Sequence, residues 1–343
     1  MRSFSATALK AAVFAALAAL PALALDGRSV TDATGREVQV PANPARVFAA
    51  GPPASTLLYV LKPEAMVGWV QAPDAHDLPF LRPGTAALPE LGRLTGKGDT
   101  LNLEVLLTAT PELIVDYGTV NATYTDLAAR VQEQSGIPYV LIDGSFAALP
   151  GSIRQMGDVL AVPDRAGMLA AYAETTLAET DALLAGIPGD QRPRVYLARG
   201  PEGLETAISG SINAEIIERA GGRNVAAGGA GNVATVSAEQ VQAWAPDIII
   251  TIDRDFAANV GMMPEWQGIP AVTNGRVYLA PDAPFGFIDA PPSVNRLIGL
   301  KWLAHKFFPD RAQGDLRAEV AEFYGLFYGV TPDEAALSVL LGE

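Results

Sequence analysis

The sequence contains no cysteine and only two histidines among its 343 residues. Without cysteine, the chain has no disulfide framework, no thiolate metal site and no thiol that could carry a lipid. A zinc site of the usual kind needs more nitrogen or sulfur ligands than His76 and His305 can supply. We therefore expect no resident metal site, and we expect both histidines to be solvated or to cap helices.

Recognisable catalytic motifs are also missing. The chain has no Gly-x-Ser-x-Gly turn, no Walker-type phosphate loop and no Gly-x-Gly-x-x-Gly that opens a helix after a strand. We therefore expect no catalytic residues, and we expect that the protein is not an enzyme.

A sustained apolar run occurs at the start of the chain. Arg2 and Lys10 precede an apolar stretch over residues 11–20, and Pro21 with the small-residue triplet 22–24 follows it. This is the pattern of a secretory leader, and the run is shorter than the roughly 20 residues that a membrane-spanning helix needs. We predict a signal peptide over residues 1–24, cleavage after Ala24, location in the periplasm and no membrane insertion.

Positive charge is scarce, since 24 Lys and Arg stand against 38 Asp and Glu, which gives a net charge of −14. Loss of the leader removes Arg2 and Lys10 and would move this charge to −16. Like charge repels nucleic acid and anionic lipid, so neither is an expected partner. The length exceeds the roughly 250 to 300 residues that one core usually serves, so we expect two lobes.

Alternating β-prone and helical segments fill the first half of the chain. The predicted elements are a hairpin over 29–40, strands at 46–50, 66–69, 112–117 and 139–143, and helices at 53–61, 101–108 and 124–134. A helical period follows over 153–160. A longer helix then begins at Pro163 and ends at Gly186; at 1.5 Å per residue it is roughly 35 Å long, enough to cross a lobe.

A second alternating block follows the long helix. Its predicted strands are at 194–198, 247–252 and 276–279, and its predicted helices are at 212–220, 237–243, 293–308 and 316–328. We therefore predict an α/β fold of two Rossmann-like lobes joined by a single long helix, with the ligand cleft between the lobes. The predicted boundaries are 25–162 for the N-terminal lobe, 163–187 for the linking helix and 188–343 for the C-terminal lobe.

Several stretches, in order along the chain, resemble one family. They read DATGREVQVP at 32–41, PARV at 44–47, NLE at 102–104 with TPELIV at 110–115, AGGRNVA at 220–226, VSAEQV at 236–241 with APDII at 245–249, and GRVY at 275–278. Together they resemble the periplasmic binding proteins that serve importers of iron complexes, haem and cobalamin. The resemblance implies a monomer that delivers a small-molecule metal complex to an ABC permease dimer with a cytoplasmic ATPase.

The resemblance also implies two docking residues. In that family a glutamate at the tip of each lobe meets an arginine of the permease, and the matching positions are Glu104 and Glu239. Each glutamate lies at the start of a predicted helix, where the helix dipole favours a carboxylate. The alternative is that both are ordinary first-turn acids.

Open α/β sheets bind ligands beyond the carboxyl ends of their strands, so the residues that follow each strand are the candidates for the cleft. Arg199 follows a predicted strand, and its planar guanidinium suits the oxygens around a chelated metal. Its alternative is a salt bridge to Glu202 or Glu205. Aromatic rings are expected to form flat walls, with a place in the core as their alternative; they are Trp69, Tyr117, Phe285 and Phe287. Asp289 and Asn295 could reach the ligand, although loop and cap roles suit them better.

The segment 284–300 resembles a subgroup that binds iron or other metal complexes. We therefore expect a ferric siderophore or related iron complex as the transported ligand, with no other cofactor. Haem, cobalamin and a nickel or cobalt chelate stay open, as do a ligand sensor and a metallocluster-type enzyme of the same architecture. A continuous linking helix resists bending, so we expect the lobes to close by a small angle.

Overall fold

The computed structural model describes residues 27–96, 103–228 and 231–343. The predicted leader and the first two positions of the predicted helix 101–108 lie outside the described residues. Among the described helices, none is long and apolar enough to cross a membrane.

The described chain alternates strands and helices in both halves. The strands are β1 (Gly27–Thr31), β2 (Glu37–Pro41), β3 (Val47–Ala49), β4 (Leu113–Gly118), β5 (Tyr139–Asp143), β6 (Arg194–Ala198), β7 (Glu205–Ala207), β8 (Arg223–Asn224), β9 (Val233–Thr235), β10 (Ile248–Thr251) and β11 (Val277–Leu279). The α-helices are α1 (Pro52–Leu61), α2 (Leu103–Ala109), α3 (Ala122–Ser135), α4 (Leu149–Val159), α5 (Pro163–Ala185), α6 (Glu215–Arg219), α7 (Ala238–Trp244), α8 (Arg254–Asn259), α9 (Pro270–Thr273), α10 (Arg296–Phe307), α11 (Leu316–Phe323) and α12 (Glu334–Leu341).

The first lobe is built on a parallel sheet in the order β3-β4-β5. These strands are almost continuously apolar because helices cover both faces of the sheet. The predicted strand at 66–69 is reduced to single bridges, Val47 to Met66 and Trp69 to Glu90. The reason is that the chain leaves the sheet after Met66, and the Trp69 backbone exchanges hydrogen bonds with the loop at 89–91.

The second lobe is built on a parallel sheet in the order β11-β10-β6-β8. A short two-stranded antiparallel sheet, β7 with β9, lies beside it and was not predicted from the sequence. This small sheet adjoins the carboxyl end of β6, because the backbones of Arg199 and Glu205 form an antiparallel bridge.

The long helix α5 runs from Pro163 to Ala185, over the predicted range. It begins with proline and Asp164, which suit a first turn, and it ends at Gly186. It packs against α4 of the first lobe and α10 of the second. The prediction of a two-lobed α/β fold is confirmed.

The end of the chain returns to the first lobe. The predicted helix at 316–328 is α-helical to Phe323 and continues as a π-helix over Tyr324–Tyr328. Tyr328 contacts Tyr59 of α1, with 6.2 Å between ring centroids, and the Arg165 guanidinium of α5 donates to the Leu326 and Phe327 carbonyls. Residues 316–328 therefore contact the first lobe, and their buried side chains belong to one apolar core that both lobes share.

Candidate functional site in the cleft between the lobes

A cleft of about 880 Å³ separates the two lobes. It lies at the carboxyl ends of both sheets: Gly118 ends β4, and Arg199 follows β6. The first lobe also contributes the start of α1, and the second contributes the β7–β9 sheet and the loop over 284–292. Both lobes therefore contact any ligand that fills the cleft.

Prolines and aromatic rings form much of the cleft wall. Six prolines line it, at positions 52, 53, 73, 284, 291 and 292. Trp69 and Phe285 face each other at 6.3 Å between ring centroids, and the Trp69 indole N–H donates to the Thr85 carbonyl at 2.8 Å. Because proline has no backbone N–H, these six positions offer a ligand apolar surface and no backbone donor, whereas side-chain donors of the cleft include Arg93, Asn213 and Asn232.

The N-terminus of α1 contains two of these prolines. Pro52 and Pro53 occupy the first two helical positions, after Gly51 in an extended conformation. A helix start normally presents several free N–H groups to an anion. Here the first two of those groups are absent, so α1 is a poor anion cradle.

Arg199 lies in the cleft with its charge already paired. Its Nε is 3.3 Å from Glu205 Oε1, and its Nη1 contacts Asp289 Oδ2. The Asn213 side chain donates to the same Asp289 oxygen at 3.2 Å. The salt bridge to Glu205 that was weighed as an alternative is therefore present. Arg199 reaches a ligand only as part of this cluster of two carboxylates and one guanidinium.

Asp289 is fully buried at the cleft wall. Burial raises the pKa of its carboxyl, while the Arg199 charge and the Asn213 hydrogen bond oppose that rise. Asp289 Oδ1 has no hydrogen-bond partner in the described part of the chain. A buried acceptor without a donor costs about 1–3 kcal/mol, so a ligand group that donates to it gains that much.

Two neighbouring residues of β4 add buried polar groups. Burial raises the pKa of Tyr117 to about 12, and the neighbouring Arg296 guanidinium opposes this rise. Burial also raises the pKa of Asp116, although the Tyr139 hydroxyl donates to this carboxylate at 3.0 Å and the Tyr117 N–H at 2.9 Å. Tyr117 was predicted from the sequence and Asp116 was not.

The loop over 284–292 separates its two phenylalanines. Phe285 lines the cleft, as predicted, whereas Phe287 has no exposed surface and packs in the core 6.5 Å from Tyr324. The predicted contact of Phe287 with a ligand is therefore replaced by the core role. Asn295 donates to the Gly286 and Pro291 carbonyls, so it shapes this loop and lies outside the cleft wall.

The two histidines each lie beside a carboxylate. His76 of the first lobe approaches Asp282 of the second lobe at 3.1 Å, and Arg254 contacts both residues. His305 lies 3.9 Å from Glu319. His76 therefore bridges the lobes, a role that the expectation of a solvated or capping histidine missed. Within the described ranges, no group of three or more His, Asp or Glu side chains is arranged to hold a metal ion.

Glu104 and Glu239 are both exposed in the first turns of α2 and α7. Ser237 caps α7, and the hydrogen bond from its hydroxyl, together with the backbone N–H of Glu239, lowers the pKa of the Glu239 carboxyl. The helix start predicted at Glu239 is confirmed, whereas residues 101–102, where the helix of Glu104 was predicted to begin, lie outside the described residues.

Two lobes on parallel sheets, one linking helix and a cleft that both lobes line define a two-lobed solute-binding protein. The sequence pattern of the periplasmic binding protein family matches residues 73–284. The chain belongs to this family, whose members are solute-binding components of ABC importers in the periplasm and are not enzymes.

The chain is similar to several known proteins over part or most of its length. The molybdate-binding protein MolA of Haemophilus influenzae is 30% identical over 274 residues, which are 72% of this chain and 77% of the relative. A vitamin B12-binding protein of Salmonella choleraesuis is 31% identical over 151 residues, 44% of this chain and 54% of its own length. The structure of an ABC transporter solute-binding protein from Sulfurospirillum deleyianum superposes with a TM-score of 0.85 at 30% identity, over 92% of this chain and 99% of that one.

Proposed function

We propose that the protein captures a metal enclosed in a bulky organic chelate, a ferric siderophore or related iron complex, and delivers it to its importer. The size and lining of the cleft support this proposal. A volume of about 880 Å³ lies toward the upper end of the range of roughly 300–1,000 Å³ for organic-ligand pockets. The proline and aromatic walls suit the apolar periphery of a chelator better than a small hydrated ion.

The polar cluster at the back of the cleft suits the same ligand class. Arg199 can meet the catecholate, hydroxamate or carboxylate oxygens of a chelate, while Asp289 Oδ1 can accept a hydrogen bond from it. Haem is less suitable, because an axial tyrosine must lose its proton, whereas burial raises the pKa of Tyr117 to about 12 and also raises the pKa of Tyr124, the other tyrosine in the cleft lining. Cobalamin and a nickel or cobalt chelate share the large organic periphery and stay within the proposal's class.

A tetrahedral oxyanion is the second candidate, because a relative with 30% identity over 72% of this chain binds molybdate. Two features of the cleft disfavour it. Pro52 and Pro53 remove N–H donors from the start of α1, and the cleft volume of about 880 Å³ is far larger than a tetrahedral oxyanion needs. An oxyanion normally needs several such donors in one place.

We propose Glu104 and Glu239 as the contacts to the permease. Both carboxylates are exposed on separate lobes, so each lobe presents one acidic point to a basic partner surface. Such rim charges set orientation and association rate more than affinity. A sensor would share the cleft and differ in its membrane partner, so stimulation of an ABC ATPase by the loaded protein separates the two roles.

Tryptophan fluorescence provides the direct test of the ligand. The mature protein is titrated with ferric catecholate and hydroxamate siderophores, haem, cobalamin, nickel-histidine and molybdate. Trp69 lines the cleft, so we expect saturable quenching by one ferric chelate, lost in Trp69→Phe. The matched control is Trp244→Phe, since Trp244 packs against Tyr196 in the second lobe and does not line the cleft. Saturation by molybdate alone would overturn the chelate proposal.

A further inference from the structure

A second pocket, of about 290 Å³, lies at the opposite end of the second-lobe sheet from the cleft. Arg192, Arg223 and Arg276 line it, each at or just before the amino end of a strand, β6, β8 and β11 respectively. These strands run parallel, so the three side chains meet at one edge of the sheet. The cleft lies at the carboxyl edge, so the two sites are separate.

The three guanidinium groups have few partners within the protein. Arg223 Nε donates to the Arg192 carbonyl at 3.1 Å, and Arg276 Nη2 reaches the Lys306 carbonyl at 3.4 Å. Arg192 Nε is buried without an acceptor in the described part of the chain. Each guanidinium carries five N–H donors, so most donors in this pocket are available to a ligand.

The charge around the pocket is positive despite the net charge of −14 of the whole chain. Two acids also line the pocket, Asp190 and Asp247. Asp247 is engaged by Arg194, whose backbone N–H donates to it at 2.8 Å and whose Nε lies 3.6 Å away. Asp190 is the only other acid of the pocket among the described residues, so the three arginines outnumber the carboxylate that can balance them. This arrangement costs free energy unless an anion binds.

We propose that this pocket is a binding site for a small oxyanion with two or more negative charges. Planar guanidinium groups bind phosphate, sulfate and carboxylate groups in pairs of parallel hydrogen bonds, which a monovalent chloride cannot reproduce. The volume is near the lower limit of ligand pockets, which suits an inorganic oxyanion or a short polycarboxylate. The proposal is independent of the ligand in the cleft.

Isothermal titration at low ionic strength tests the site with inorganic phosphate, sulfate and citrate as probes and chloride as the reference salt. We expect saturable one-to-one binding of at least one probe. The three probes distinguish two sources of the anion. A preference for phosphate or sulfate indicates an inorganic ligand, and a preference for citrate indicates a polycarboxylate. Arg192→Gln should weaken binding about tenfold, the effect of one charged hydrogen-bonding partner, and the triple variant with Arg223→Gln and Arg276→Gln should abolish it.

Two controls make the result decisive. Arg130→Gln removes an exposed arginine of α3 in the other lobe and should leave binding unchanged. Arg199→Gln removes the cleft arginine and should also leave it unchanged. The proposal is overturned if no probe binds saturably, if the triple variant binds as the native protein does, or if Arg199→Gln abolishes binding. Circular dichroism in chloride confirms that each variant is folded.

Discussion

Arg199 and Asp289 form an ion pair that is mostly removed from water, because the Arg199 side chain is 20% exposed and that of Asp289 is fully buried. Arg199→Ala leaves the Asp289 carboxyl buried without its cation. Removal of one partner from a buried pair costs about 3 kcal/mol or more, so we expect a loss of this size in the free energy of unfolding, measured with urea.

The double variant Arg199→Gln with Asp289→Asn should recover much of that stability, because it leaves no unpaired charge at the cleft wall. It should still bind the metal complex more weakly than the native protein does. Arg194→Gln is the control, since Arg194 and Asp247 are each about 40% exposed and such pairs are worth about 0–1 kcal/mol. Equal losses in Arg199→Ala and Arg194→Gln would contradict the buried-pair interpretation.

Asp116 should make the stability of the ligand-free protein depend on pH. Burial raises the folded-state pKa of this carboxyl above its ordinary value of 3.8. The contribution of this carboxyl to stability is therefore fully present below 3.8 and is lost as the pH rises through the folded-state pKa. Asp116→Asn cannot titrate, so its stability relative to the native protein should increase with pH above 3.8 and then level off.

Urea unfolding at a series of pH values measures the difference between Asp116→Asn and the native protein. Asp158→Asn, which removes an exposed aspartate of α4, is the control for a general charge effect. A constant difference across the whole series would show that burial does not govern the ionisation of Asp116.

At the scale of elements, the sequence predicts regular strands and helices well and the cleft-lining loops poorly. The parallel strands of both lobes and helix α5 are identified by continuous apolar runs and a long helical period. The β7–β9 sheet is not identified, because its strands have three residues each and lie 25 residues apart. They are too short and too distant in sequence to form a local pattern. That sheet nevertheless lines the cleft and supplies Glu205.

The two phenylalanines of the 284–292 loop show that a sequence pattern does not distinguish a cleft position from a core position within one loop. Phe285 and Phe287 are two residues apart in an aromatic segment, and both suit a cleft or a core. The choice is made by helix α10, which approaches the loop so closely that Phe287 is enclosed. Contacts between elements distant in sequence determine which phenylalanine is buried, and local sequence propensity does not predict such contacts.

Gly299 permits that close approach of α10 to the loop. A Cβ at this position would overlap the Phe287 carbonyl oxygen and lie 2.9 Å from Ile216 Cδ1. Gly299→Ala should therefore displace the loop that carries Asp289, with a loss of about 1–3 kcal/mol in stability and weaker ligand binding.

Gly167→Ala in α5 is the matched helical control. A Cβ there meets no atom within 4 Å, and alanine is the better helix former by about 1 kcal/mol. We expect this variant to be slightly more stable than the native protein and to bind the ligand normally. Thermal unfolding and ligand titration of both variants check the pair; equal behaviour would show that the α10 contact is not restrictive.

At the scale of the whole molecule, several contacts besides α5 tie the lobes together. The buried Arg296 of α10 donates to the Gly144 carbonyl of the first lobe at 2.6 Å and to the Ile212 carbonyl of the second at 3.2 Å. The Ser293 hydroxyl donates to the Pro53 carbonyl across the cleft floor at 2.9 Å. These bonds and the shared apolar core oppose a large hinge rotation.

We therefore expect ligand binding to move the lobes by less than about 2 Å. The absence of native cysteine allows spin labels at Val120→Cys in the first lobe and Met262→Cys in the second, both exposed positions. Electron–electron distance measurement with and without ligand gives the closure directly. A shift of many ångströms would show that the contacts across the lobes break on loading.

Because the lobes form a nearly rigid pair, the separation of Glu104 and Glu239 is fixed before the protein meets its permease. A fixed spacing lets the two carboxylates act together, so the loss of either should weaken docking. We expect Glu104→Gln and Glu239→Gln each to reduce the apparent affinity for the reconstituted importer on the order of tenfold, about 1.4 kcal/mol, with ligand affinity unchanged. The effect should shrink at high salt, since it arises from exposed charges.

Stimulation of the importer's ATPase in proteoliposomes, titrated with each loaded variant, measures this docking. Asp164→Asn is the matched control because Asp164 is also an exposed first-turn acid, on α5. If helix-start acids contributed only general negative charge, all three variants would weaken docking alike. A loss confined to the Glu104 and Glu239 variants would instead require two basic points on the permease at the spacing that the rigid lobes impose, and the double variant should then lose more than either single one.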